Sequence, residues 1–200
     1  MANSQRHKQL LSRISQLESN LLPAIKINGN YTKKESDMIR SYVILSHAEI
    51  ESYFEDIADS KVRKALNNWM NNRTKSNCLL AIMSFCTEEI NWEKEKKSDK
   101  EKLEFRINRV ASHYLNKLNN NHGIKSNNLF NILLPIGIEA HEIDPTWLNT
   151  MDNFGSKRGQ FAHTSSSVQS QIDLVTEKNN INNSILPEIG NIDELVKKLK

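Results

Sequence analysis

TKKESDMIRSYVILSHAEIESYFEDIADSKVRKALNNWM, residues 32–70, is the stretch that decides the fold. Thr32 followed three residues later by Glu35 has the form of a capping box, in which each side chain satisfies a free backbone N–H at a helix start. Behind it an apolar stripe runs through Met38, Tyr42, Leu45, Ile50, Tyr53, Phe54 and Ile57. That spacing is helical and not alternating, so the segment predicts one long amphipathic helix, with a break expected near Asp59-Ser60.

The pattern continues on both sides. Leu10, Ile14, Leu17 and Leu21 recur at helical intervals and predict a helix over residues 3–22 that ends before Pro23, with Asn28-Gly29-Asn30 as the turn that follows. Residues 78–90 form a short, nearly all-apolar helix, and Ser98 with Glu101 caps another carrying Leu103, Ile107, Val110, Tyr114 and Leu118 on one face. Gly123 suits a left-handed helix end. Pro135 and Gly137 confine residues 126–138 to a short helix, and Asp144-Pro145 opens a helix that turns Trp147, Met151 and Phe154 inward. Past Thr164 the pattern is diluted until Asn191 and Glu194 cap a final helix over 192–200. Strand signals are weak, so the fold class is all-α, a helical bundle. The chain divides into an N-terminal helix and turn (1–34), a helical core (35–170) and a C-terminal extension with a short final helix (171–200).

Composition removes several classes of function. The chain has 200 residues, 38% of them hydrophobic and 26% charged. Its mean hydropathy of −0.60 marks a polar but foldable chain. No apolar run reaches the roughly 20 residues needed to span a bilayer, and the N-terminus lacks the apolar segment of a secretory signal. Cys78 and Cys86 lie in apolar surroundings, which points to buried thiols in a reducing, cytoplasmic compartment. They lack the second Cys or His pair of a zinc site, so no metal and no cofactor is expected. His141, Glu142 and Asp144 read as a polar loop before a helix start. A net charge of +3 permits nucleic-acid binding without arguing for it.

Two groups of residues carry chemistry. His47 and Glu51 are four apart on the long helix, where a carboxylate orients an imidazole and raises its pKa, or where the two simply form a surface pair. The second group is KRGQFAH, residues 157–163. An imidazole at His163 can move protons at a ribose 2′-hydroxyl or a leaving oxygen, and the Arg158 guanidinium forks onto a phosphate. Lys157 adds positive potential beside them. Ordinary readings stand beside these: Arg158 as a surface arginine, and His163 as a histidine complementing a helix C-terminus.

The R-x4-H element late in an all-α chain of this size resembles the HEPN superfamily of ribonuclease domains. The form K-R-G-x-F-A-H, together with SHAEIESYFE (46–55) and NNLFNILLPIG (127–137), is similar to its RiboL-PSP-HEPN branch over about residues 35–170. The resemblance implies a helical bundle that forms homodimers, with both motifs around one cleft, and cuts RNA without metal as a toxin or antiphage effector. It implies Arg158 as the phosphate contact, His163 as the acid–base group and Glu51, with His47 and Lys157, as accessory residues. Many HEPN domains have a polar residue after the arginine; here it is Gly159. The alternative reading is a non-catalytic HEPN-like module that binds RNA or protein partners, such as an antitoxin, in a defence or toxin–antitoxin complex. A helical protein with no nucleic-acid role also stays open.

Overall fold

The computed structural model describes residues 4–85, 103–163 and 172–199. Among them there is no strand, and the chain is an all-α helical bundle as the periodicity predicts. Helix α1 spans Gln5–Leu21 and α2 spans Lys33–Asn72. Helix α3 is Asn77–Phe85, α4 is Leu103–Asn119, α5 is Ser126–Leu133 and α6 is Pro145–His163. The C-terminal part is α7 (Leu174–Asn179), a π-helical stretch (Asn180–Ile185) and α8 (Leu186–Lys198).

The axis of the fold is α2. Both halves of the expected capping box are present: Thr32 Oγ1 accepts the Glu35 amide at 3.2 Å, and Glu35 accepts the Thr32 amide at 2.7 Å. The helix runs unbroken for 40 residues, about 60 Å. The break expected at Asp59-Ser60 does not occur. Asp59 pairs with Arg63 one turn on, at 2.7 Å, while Ala58, Val62 and Ala65 carry the buried stripe through. The expected stripe is buried at Tyr42, Ile50, Tyr53, Phe54 and Ile57 and departs from expectation at two positions. Leu45 is exposed and Met38 half-buried, whereas Ile39, Val43, Ser46 and His47 are buried. A 40-residue helix contacts different partners along its length, so its inward face is set by those partners rather than by one heptad phase.

Helix α1 lies along α2 and buries Leu10, Ile14 and Leu17 in the same core as Ile189 and Ile192 of α8. A buried carboxylate ties these elements together. Asp193, 2% exposed, accepts from the Ser4 amide at 2.8 Å, the Ser4 hydroxyl at 2.5 Å and Tyr53 Oη at 3.0 Å. The final helix starts earlier than Asn191 and Glu194 suggest. Asp173 caps α7 by accepting the Val175 amide at 3.0 Å, and helical turns continue from there to Lys198. The asparagine-rich residues 180–185 take a π register that keeps Ile181 and Ile185 fully buried, and Asn191 donates to Glu188 instead of capping.

The connections that place α6 follow the sequence signals. Gly123 adopts φ +125° in the turn after α4, and Gly137 adopts φ +104° after the Leu134–Ile136 turn that ends α5. Asp144 caps α6, accepting the Thr146 amide at 2.7 Å with Pro145 in the first turn. His141 and Glu142 sit exposed in a short 3-10 turn. Cys78 is buried, with its thiol pushed up to about 11 by burial. Cys86 and the Ser98–Glu101 box lie outside the described residues. No helix of the described residues is long and apolar enough to cross a membrane.

Candidate functional site

Helix α6 positions the motif. Its first half is locked: Trp147, Met151 and Phe154 are buried, and Trp147 Nε1 donates to the Ile185 carbonyl at 3.2 Å. Phe154 lies against the His47 ring, centroids 5.7 Å apart. Arg158 is one turn beyond Phe154, on the same face of α6, and so comes up beside His47.

His47 is 2% exposed, and Nδ1 bonds to no described residue. The expectation that Glu51 raises its pKa is reversed. Burial is the larger cause and the Arg158 charge the second, and together they push the imidazole down to about 4. Glu51 Oε2 stands 3.6 Å from His47 Nδ1, too far for a hydrogen bond. Glu51 instead accepts the backbone N–H of Gly123, which couples α2 to the turn before α5. His47 is therefore a neutral imidazole in a sealed site, with a cationic guanidinium as neighbour.

One turn further along α2, Glu55 accepts from Asn121 Nδ2 at 3.3 Å, and burial holds its carboxyl above the usual range. His47, Glu51 and Glu55 thus form an i, i+4, i+8 polar strip on one face of α2. It meets α6 at one end and the 119–123 turn at the other. Glu55 and Asn121 were not singled out from the sequence. The i+8 spacing from His47 was the available signal, but the matching partners come from 66 and 72 residues away.

The other motif residues separate. Lys157 turns away from Arg158 and pairs with Glu177 of α7 at 2.7 Å. Glu177 is 4% exposed, so this pair anchors α6 to the C-terminal helices, and its charge is matched there. His163 is exposed at the C-terminal end of α6, five residues and about 140° of helix rotation from Arg158. Gly159 lies beside Arg158 on an open surface; a Cβ there would meet no atom within 4 Å. Among the described residues, no three His, Cys, Asp or Glu side chains converge as a metal site requires.

An all-α bundle in which a late, half-packed helix ends in R-x4-H has the organisation of a HEPN-type domain. The model of one family in that class, RiboL-PSP-HEPN, matches residues 8–198, and the chain belongs to that family. The match extends at both ends beyond residues 35–170, and it takes in α1 and α8, which share the core with α2. Membership supports an RNA-related, nuclease-type role in general terms. No curated protein and no solved structure matches the chain.

Proposed function

We propose that this protein is a metal-independent endoribonuclease of HEPN type, acting as a homodimer in toxin or antiphage defence. The observation that carries the reading is the way α6 emerges from the core: packed through Phe154, then presenting Arg158 beside neutral His47 and ending in exposed His163. Arg158 binds the scissile phosphate and offsets the charge that builds on it. The 2′-oxygen attacks phosphorus as its proton departs, and the bond to the 5′-oxygen breaks. The leaving oxygen takes up a proton, and a 2′,3′-cyclic phosphate remains. His163 exchanges these protons. His47 cannot repel Arg158 while it is neutral, so it steadies the guanidinium from behind, and Glu51 fixes the adjoining turn. The Arg158 and His163 of one helix face different directions. Two α6 ends around a shared cleft would bring one residue of each kind to a single phosphate.

That angular separation also favours a second reading, in which the exposed end of α6 binds RNA or an antitoxin-like partner without cutting. Incubation of wild type and His163→Ala with RNA in EDTA separates the two. Cleavage by wild type alone, leaving cyclic-phosphate ends, is the expected result. Equal cleavage by both proteins removes His163 from the reaction. Absence of cleavage by either, with salt-sensitive RNA binding retained, selects the binding module.

A further inference from the structure

The polar strip on α2 leads somewhere. His47 and Glu55 are about 12 Å apart along the helix axis, the rise of three or four stacked nucleotides. At the Glu55 end, Asn121 donates to Glu55 and to the Gly123 carbonyl, at 2.9 Å, and its Oδ1 accepts from Asn128 at 3.0 Å. Asn121 and His122 then form one wall of a cavity of about 750 Å³ between the end of α3, α4 and α5. This is the size range in which proteins hold small organic ligands.

Its lining is of mixed character. The floor is apolar, with Val110, Tyr114 and Ile132 buried. Tyr114 Oη donates to the Ile132 carbonyl at 2.7 Å, so the ring is fixed. Phe85 lines it from the end of α3 and is 53% exposed. The side-chain amides of Asn116 and Asn131 face the cavity from α4 and α5, both exposed and bonded to no described residue. Around them stand the cationic or protonatable groups His113, Lys117 and His122. An aromatic face, free amides that pair with both donor and acceptor edges, and nearby positive charge are the means by which proteins read an unstacked base of single-stranded RNA.

We propose that this cavity is a nucleobase subsite. It takes a base of the bound strand a few nucleotides from the phosphate at Arg158 and gives the protein its sequence preference. Asn116 and Asn131 read the base edge, Phe85 stacks on the base, and Lys117 lies near the adjoining phosphate. The proposal rests on the reading of Arg158 as a phosphate contact, yet it is tested by binding and not by cleavage.

The test is fluorescence anisotropy with the full chain carrying His163→Ala, so that strands stay intact. The probes are labelled single-stranded decamers of adenosine, cytidine or uridine, and an abasic decamer with the same backbone. The expected result is a spread of at least about tenfold in Kd among the three homopolymers, all tighter than the abasic strand. Asn116→Leu with Asn131→Leu, both at exposed positions, brings the three homopolymers to one common Kd and leaves abasic binding unchanged. Equal binding of all four strands, no binding of any, or no effect of the double substitution overturns the subsite. Base-selective binding by a wild-type protein that does not cut RNA upholds the subsite and removes the ribonuclease reading. Cutting without base preference does the reverse.

Discussion

The two halves of α6 obey different rules. From Pro145 to Phe154 every third or fourth side chain is buried, and the Trp147 indole is hydrogen-bonded to a neighbouring segment. From Arg158 to His163 the same helix has no buried residue, and its last two residues are fully on the surface. The core is built on the first half; from the second, only the partly buried Phe161 packs against it. Side chains that stop packing partway along a rigid helix are held in place without being covered, which is what a phosphate-binding and proton-transferring pair requires.

The sharpest way to break this contrast is to truncate each half in turn. Arg158→Ala and His163→Ala should each lower RNA cleavage by about 10²–10⁴-fold with Tm unchanged, as read by end-labelled RNA assays and thermal melts. A variant that loses activity only because it unfolds would place these residues with the first half. Phe154→Ala should do the opposite to stability, lowering it by about 3–5 kcal/mol in denaturant titrations, because it opens a void against His47 and α2.

His47 sits where the halves meet, and pH reports on it. Well above pH 6.5 the imidazole is neutral in both folded and unfolded chains and contributes nothing to the pH dependence. As pH falls toward 4, the unfolded chain takes up a proton that the buried site resists, so stability declines. The full decline is about 3 kcal/mol. Buried His7, also held below its ordinary value, adds to it in the same direction. His47→Leu should flatten the Tm–pH curve between those limits by the His47 share, leaving what His7 and the shifted carboxylates contribute. A curve as steep as wild type would show that His47 is not held neutral.

The smallest effect refines the contrast. Gly159→Ala should raise stability by about 0.5–1 kcal/mol, since alanine is the better helix former and its Cβ meets nothing. Gly155→Ala, on the packed side of the boundary, should gain less. Its Cβ would come within 2.9 Å of Lys125 Cγ, and that side chain would have to shift. Equal gains at both positions would mean that the boundary between the halves lies before residue 155.

Much of this protein was legible in the chain alone. The all-α class, the capping box at Thr32, the Asp144-Pro145 start of α6 and the inward set Trp147, Met151 and Phe154 follow from local rules, because caps and 3.6-residue periodicity act within a turn or two. The R-x4-H element and its family were readable for the same reason, since the motif is contiguous. Tertiary structure decided the rest. It turned Ile39, Val43, Ser46 and His47 of α2 inward in place of Met38 and Leu45, kept the helix whole at Asp59-Ser60 and drew residues 180–185 into a π register, because each depends on partners distant in sequence. It also reversed the expected effect on His47. The carboxylate four residues away is a local fact, but burial and the approach of Arg158 across 111 residues fix the charge state of that imidazole. The charge on a buried group depends on everything packed around it, and no spacing along the chain records that.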